Sequence, residues 1–258
     1  MRTFFALIKK EATGRLRTGT AAAMLAVFFV FGIMNPLIAK LTPWLLEAMS
    51  GSMAESGLVV ESVSVDALTS WTQFFKNVPM ALLVFVLMES TAFSKEYAAG
   101  TLTLVLTKGI SRHCIVWSKS FVLVAEWTAG YWLHWGITLL YTEIYWDNSI
   151  AANLGISAFY WWLFGLFVTA VLILFSCVGS SSSAALLGTG ATVGTLFAAS
   201  LFSGTKKFTP FILTDGTALV YGAQKYGDFL AAAVVAAVLT VVCLVTAAIC
   251  FNKKNFIK

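Results

Sequence analysis

The residues able to do chemistry are few, and they lie in apolar surroundings. Glu89 falls inside one apolar run; Glu126 and His134 fall inside a later one. An ionisable side chain at membrane depth is costly, so each is a functional candidate by default. Glu126, Gly130 and His134 stand at i, i+4, i+8 and therefore share one helix face. That face can border a polar cavity or substrate path, carry a proton relay with Glu89, or hydrogen-bond to a neighbouring helix. Glu89 can instead pair with a nearby base, Lys95 or Lys119. No metal site is expected. There are only 2 histidines, His113 and His134, and the candidate ligands stand two turns apart. Cys243 and Cys250 are about 10 Å apart along a helix, too far for one ion. No catalytic constellation is apparent. Gly188-Thr189-Gly190 with Gly194 lacks the Gly-Lys-Ser/Thr step of a nucleotide loop and sits in an apolar run.

A second group lies between two long apolar runs. Glu96-Tyr97-Ala98-Ala99-Gly100-Thr101 is followed by a Leu/Val stripe from Leu102 to Leu106, the Lys108-Gly109 break, Ser111-Arg112 and Lys119. Glu96 suits the positive end of a helix. Leu102, Val105 and Leu106 give a short apolar face. Gly109 can stop that helix, and Ser111 can cap the next. The pattern describes an elbow across the ends of spans, offering a surface to a soluble partner.

This elbow resembles that of the type 2 ATP-binding-cassette (ABC) permeases, where an acid, a Gly-Thr step, an apolar stripe, a Ser-Arg-like pair and a Lys follow in order. Gly109-Ile110 replaces the Pro that the family often has before the pair. The resemblance implies that Glu96, Gly100, Thr101, Leu102, Leu106, Ser111, Arg112 and Lys119 couple the chain to an ATPase. It also implies a separate ABC ATPase subunit in two copies, a second permease copy or paralogue, and alternating access. Cofactors are expected on the partner, as ATP and magnesium, with none on this chain.

Composition agrees with membrane residence. The chain of 258 residues is 59% hydrophobic and 11% charged, against about a quarter charged in soluble domains. The expected fold is an all-α polytopic membrane protein, a single six-span permease domain over 1–258. Residues 1–18 form an amphipathic interfacial helix. Phe4, Phe5, Ile8, Ala12 and Leu16 share an arc opposite Arg2, Lys9, Lys10 and Arg17, a pattern that Arg15 spoils. Spans are expected at 19–41, 78–94, 120–145, 157–179, 184–202 and 228–251. Residues 95–119 are the cytoplasmic coupling elbow. Residues 42–75 are external, with Trp44 and Trp71 at the interface, and 203–227 are external and possibly re-entrant. Asn35-Pro36 sits near the outer end of the first span, where a freed carbonyl is tolerable. Gly190, Gly194 and Ala198 form a small-residue stripe suited to close helix packing. The resemblance places the fifth span near the dimer interface and the substrate path.

Orientation follows from charge. Of the 17 bases, only Lys40, Lys76, Lys206, Lys207 and Lys225 lie on the external side, which puts both termini in the cytoplasm. No basic run of nucleic-acid type exists; the bases hug membrane borders. With the resemblance, the expectation is a permease subunit of an exporter, not an enzyme, moving a hydrophobic or amphipathic cargo across a prokaryotic plasma membrane. Two alternatives stand beside it: an ion-coupled secondary transporter using Glu89, Glu126 and His134, and a non-transporting sensor or assembly subunit.

Overall fold

The computed structural model describes residues 2–55, 64–100, 106–107, 109–179 and 181–253, and these are helical with short connections. Helix α1 (Arg2–Arg17) precedes the long α2 (Thr20–Glu55), α3 (Ala67–Glu89) and the short α4 (Thr91–Ala98). Then come α5 (Arg112–Tyr145), α6 (Leu154–Val178) and α7 (Ser182–Ser200). Two short helices, α8 (Ser203–Lys206) and α9 (Gly216–Val220), lead to α10 (Leu230–Lys253). Five helical stretches are long and apolar enough to cross a membrane: Thr20–Ala48, Ala67–Tyr97, Leu154–Val178, Ser182–Ser200 and Tyr226–Lys253. Helix α5 has 34 residues, ample length, but is not one of these five.

Helix α6 is the centre of the bundle. It is apolar on all sides, and α10, α7 and α5 pack around it. Close approach is set by small residues. A Cβ on Gly165 would meet the Trp127 ring at 1.9 Å, so only Gly lets α5 seat its indole against α6. The Trp127 indole N–H reaches the Trp162 carbonyl at 3.1 Å. Helices α2, α3 and α5 form the adjoining layer, and α1 lies across α5 at the end that carries both described termini.

Several boundaries differ from the sequence expectation. The first long helix runs past 41 to Glu55, and the second begins at Ala67 rather than 78. Asp66 makes that earlier start, accepting from the Thr69 backbone N–H at 2.9 Å. The 42–75 stretch is therefore mainly two helix extensions, and its residues 56–63 lie outside the described set. Trp71 is not an interface aromatic. It is fully buried, and its indole N–H donates to Asn148 Oδ1 at 2.8 Å. Pro36 lies within α2 and frees the Gly32 carbonyl. That carbonyl lies 3.1 Å from the Thr138 hydroxyl of α5.

Residues 203–227, expected to be external and possibly re-entrant, pack against the bundle. Pro210, Ile212, Leu213, Leu219 and Val220 are buried against α6, α10 and α3. Backbone carbonyls in this segment are taken by the bundle: Trp161 donates to Thr214 O at 2.7 Å and Tyr160 to Tyr226 O at 2.9 Å.

Candidate functional site

The site grows from α1. Its inward arc carries Leu7, Glu11 and Arg15 at i, i+4, i+8, the register that places three side chains on one face. Leu7 enters an apolar cluster with Phe93, Ile115, Val116 and Phe251. Glu11 and Arg15 enter a crevice of about 320 Å³ between α1, α3, α4 and α5.

Two ionic knots form there. In the first, Arg15 pairs with Glu89 Oε2 at 2.6 Å and with Glu126. Arg15 and Glu126 are about 15% exposed and Glu89 only 2%, so three charges are largely withdrawn from water. Burial works against the Arg15 charge. The hydrogen bond to Glu89 and the charges of Glu89, Glu126 and Glu11 outweigh it, holding the guanidinium pKa above its ordinary value. In the second knot, Lys119 reaches Glu11 at 3.0 Å and Glu96 at 3.1 Å, and Lys10 approaches Glu96 at 3.8 Å. Lys119 also donates to the Ala92 carbonyl at 3.3 Å. Helix α1 is thus tied by charge to the end of α3, to α4 and to α5.

The sequence expectations need two corrections here. Glu89 pairs with Arg15, not with Lys95 or Lys119. Arg15 does not spoil the helical pattern, because it points inward as a counter-ion. Glu96 joins Lys119 and Lys10, while Arg112 donates to the Asn252 carbonyl of α10 at 2.8 Å.

The remaining elbow residues are placed in part. Gly100 and Gly109 have positive φ, 64° and 76°, where a side chain would be strained. Ser111 caps α5, accepting from the Cys114 N–H at 3.4 Å. Leu106 packs half-buried on the cluster around Phe93 and Phe251. Thr101 and Leu102 lie outside the described residues.

Further along α5, the Glu126 face changes chemistry. Gly130 lies under the Phe28 ring, at 2.4 Å from where a Cβ would stand. His134 then meets Asn35, whose Nδ2 donates to His134 Nε2 at 2.8 Å and to Thr138 Oγ1 at 2.9 Å. Asn77 Nδ2 donates to Asn35 Oδ1 at 2.7 Å. This neutral cluster joins α2, α3 and α5, with Asn35, His134 and Thr138 fully buried. One turn on, Thr142 meets Ser70 at 2.7 Å. The face therefore contacts α1, α2 and α3. The sequence reading stopped at His134 although Thr138 and Thr142 continue its four-residue spacing. It also missed Glu11 and Arg15, whose signal was the need of two intramembrane acids for a counter-charge.

Among the described residues, no other helix packs closely on Gly190, Gly194 or Ala198. All three are exposed, and nothing lies within 4 Å of a Cβ built on either glycine. Gly188, two residues before Gly190 and so on the opposite face, is the glycine of α7 that meets a neighbour, Phe175 of α6. Beside the stripe, α3, α6 and α7 line a half-open apolar cavity of about 460 Å³, bordered by Phe75, Leu82, Val86, Phe164, Thr189 and Val193 among others. Among the described residues, no group of three or more His, Cys, Asp or Glu could hold a metal.

Comparison with known families gives a match to the model of the ABC-2 family transporter proteins over residues 5–210. No curated protein matches significantly. The matched region includes α1, the elbow, both ionic knots and the helices around the cavity. An integral membrane chain, built of long apolar helices and matched over most of its length, belongs to the ABC-2 family of transporter proteins.

Proposed function

We propose that this chain is the permease subunit of an ATP-driven exporter in a prokaryotic plasma membrane. It works with a second permease, a copy or a paralogue, and with two copies of a separate ATPase that hold ATP and magnesium. Helix α5 is a sixth span, buffered by its neighbours, and both termini are cytoplasmic. The elbow around Glu96, Gly100, Thr101, Leu102, Leu106, Ser111 and Arg112 receives the ATPase. ATP closure then drives alternating access, provided the cargo binds the two states with different affinity.

The observation that carries this reading is the tie from Glu96 to Lys119 and Lys10. It gives a displacement of the elbow a direct route into α5 and α1. Through Arg15 the route continues to the end of α3. The apolar cavity between α3 and α7 supports a hydrophobic or amphipathic cargo such as a peptide antibiotic, drug or lipid, since it is of ligand size. The exposed Gly190, Gly194 and Ala198 stripe leaves α7 open to close approach by a second permease. A proton relay from Glu126 to His134 is disfavoured, because Phe28 fills the space over Gly130 between them.

The test is co-purification of the tagged chain in mild detergent, with mass spectrometry and an ATPase assay. A Walker-containing ATPase is expected to accompany it, and Glu96→Gln to uncouple ATP turnover from transport. A chain that purifies alone with ATP untouched, or a Glu96→Gln complex that assembles and couples normally, would sink the proposal.

A further inference from the structure

Helix α1 sorts its side chains into three arcs. Leu7, Glu11 and Arg15 face the bundle. Ile8, Ala12 and Leu16 roof an apolar groove of about 290 Å³, walled by Met24 and Leu25 of α2 and Phe121 of α5. The third arc faces outward and carries Arg2, Lys9, Lys10 and Arg17, all exposed. Lys10 leans toward Glu96 at 3.8 Å, whereas among the described residues no ion pair joins Arg2, Lys9 or Arg17. The single acid of α1, Glu11, is turned inward onto Lys119.

Lys9 directly follows Ile8, and Arg17 directly follows Leu16, so a base borders the groove roof at each end. Phe5 and Leu16, each 65% exposed, carry the apolar arc beyond the groove. An acidic protein surface would satisfy the bases and leave the groove and Phe5 in water. A neutral lipid would fill the groove and leave the bases without a counter-charge. A molecule with both an apolar chain and a negative head answers both features.

We propose that α1 binds an anionic phospholipid, with an acyl chain in the groove beneath Ile8, Ala12 and Leu16 and the headgroup among the bases of the outer arc. The proposal goes beyond the transport reading and requires only that α1 lies at the membrane surface. Arg15 leaves the outer arc uncluttered because its own charge is spent on Glu89 and Glu126.

The full chain, purified in mild detergent, is exposed to an equimolar mixture of phosphatidylglycerol and phosphatidylcholine with identical acyl chains. Native mass spectrometry counts the retained lipids. Preferential retention of phosphatidylglycerol is expected, and each headgroup-facing base is worth about fivefold. The Lys9→Gln/Arg17→Gln variant is expected to lose about tenfold of that preference or more. Its positions are exposed, so folding is retained. Ala12→Trp fills the groove and lowers retention of both lipids while keeping their ratio. A Lys206→Gln/Lys207→Gln control, far along the chain from α1, retains the native preference. Equal retention of the two lipids by the native chain would overturn the proposal, as would an intact preference in the Lys9→Gln/Arg17→Gln variant. No ATP enters the assay, so its failure is distinct from failure of the exporter reading.

Discussion

The two polar regions along the inward face of α5 solve one problem in opposite ways. Near the end that carries the termini, Glu126 is held by a full positive charge, and Glu89 shares it. Two turns away, His134 is held by the neutral amide of Asn35, itself supported by Asn77 and Thr138. The difference lies in access to water. The ionic region opens on a crevice lined by Lys10, Lys95 and Glu96, where a guanidinium can be delivered from an interfacial helix. The neutral region is enclosed by Phe28, Phe31 and Phe74, and a lone charge there would have no solvent to share it. Charge serves where α1 must be fastened from outside the bundle; amide and hydroxyl groups serve where three helices meet inside it.

The comparison can be broken by removing one member of each region. Arg15→Met leaves two buried carboxylates without their counter-ion and is expected to cost about 3–5 kcal/mol. Thermal unfolding in detergent should show the largest loss of any single change here. Adding Glu89→Gln and Glu126→Gln should recover most of it. A triple variant as unstable as Arg15→Met would mean that packing, not charge, fastens α1.

Asn35→Leu removes the hub of the neutral cluster and strands His134 Nε2 and the Asn77 amide. The expected cost is smaller, about 1–2 kcal/mol, since hydrogen bonds inside membrane bundles average below that of a buried ion pair. A loss equal to that of Arg15→Met would reverse the ranking of the two regions.

Lys119→Met should cost about 1–2 kcal/mol, because it takes a buried partner from Glu11 and Glu96 but leaves both on a crevice where Lys10 remains. Its effect is expected on coupling: the partner ATPase keeps its turnover but loses cargo stimulation. Unchanged stimulation would separate Lys119 from the route between the elbow and α5.

The smallest effect concerns pH. The raised pKa of Arg15 means that its contribution is fully present below the ordinary arginine value and is lost only as pH rises through the higher folded value. Between pH 6 and pH 9 the stability gap between the native chain and an Arg15→Lys variant should therefore stay flat. A slope across that range would show that another member of the knot, a carboxylate or the substituted lysine, changes its charge there.

Much of the architecture was legible in the chain. The apolar runs at 157–179, 184–202 and 228–251 became α6, α7 and α10 within a few residues, because about twenty apolar residues leave a backbone little choice in hydrocarbon. The reach of α2 and α3 beyond their apolar runs was not legible. The stretches 42–55 and 67–77 are mixed in polarity, and the helicity of the second is fixed by Asp66 capping and by burial of Trp71 and Phe74. Glu89, Glu126 and His134 stood out as costly in any membrane reading. Their partners Arg15 and Asn35 did not, since each lies about a hundred residues from Glu126 or His134 in the chain.

Composition, span length and the elbow residues determined by themselves that this is a helical membrane chain of the transporter type. Those properties depend on local sequence and on the solvent the chain must meet. Which base neutralises which acid, whether the Gly190 stripe faces in or out, and how 203–227 folds back were decided by tertiary structure alone. Each is a matter of helix rotation, and rotation is set by the packing of distant helices: Gly165 under Trp127, Gly130 under Phe28, and Gly216 under Phe75.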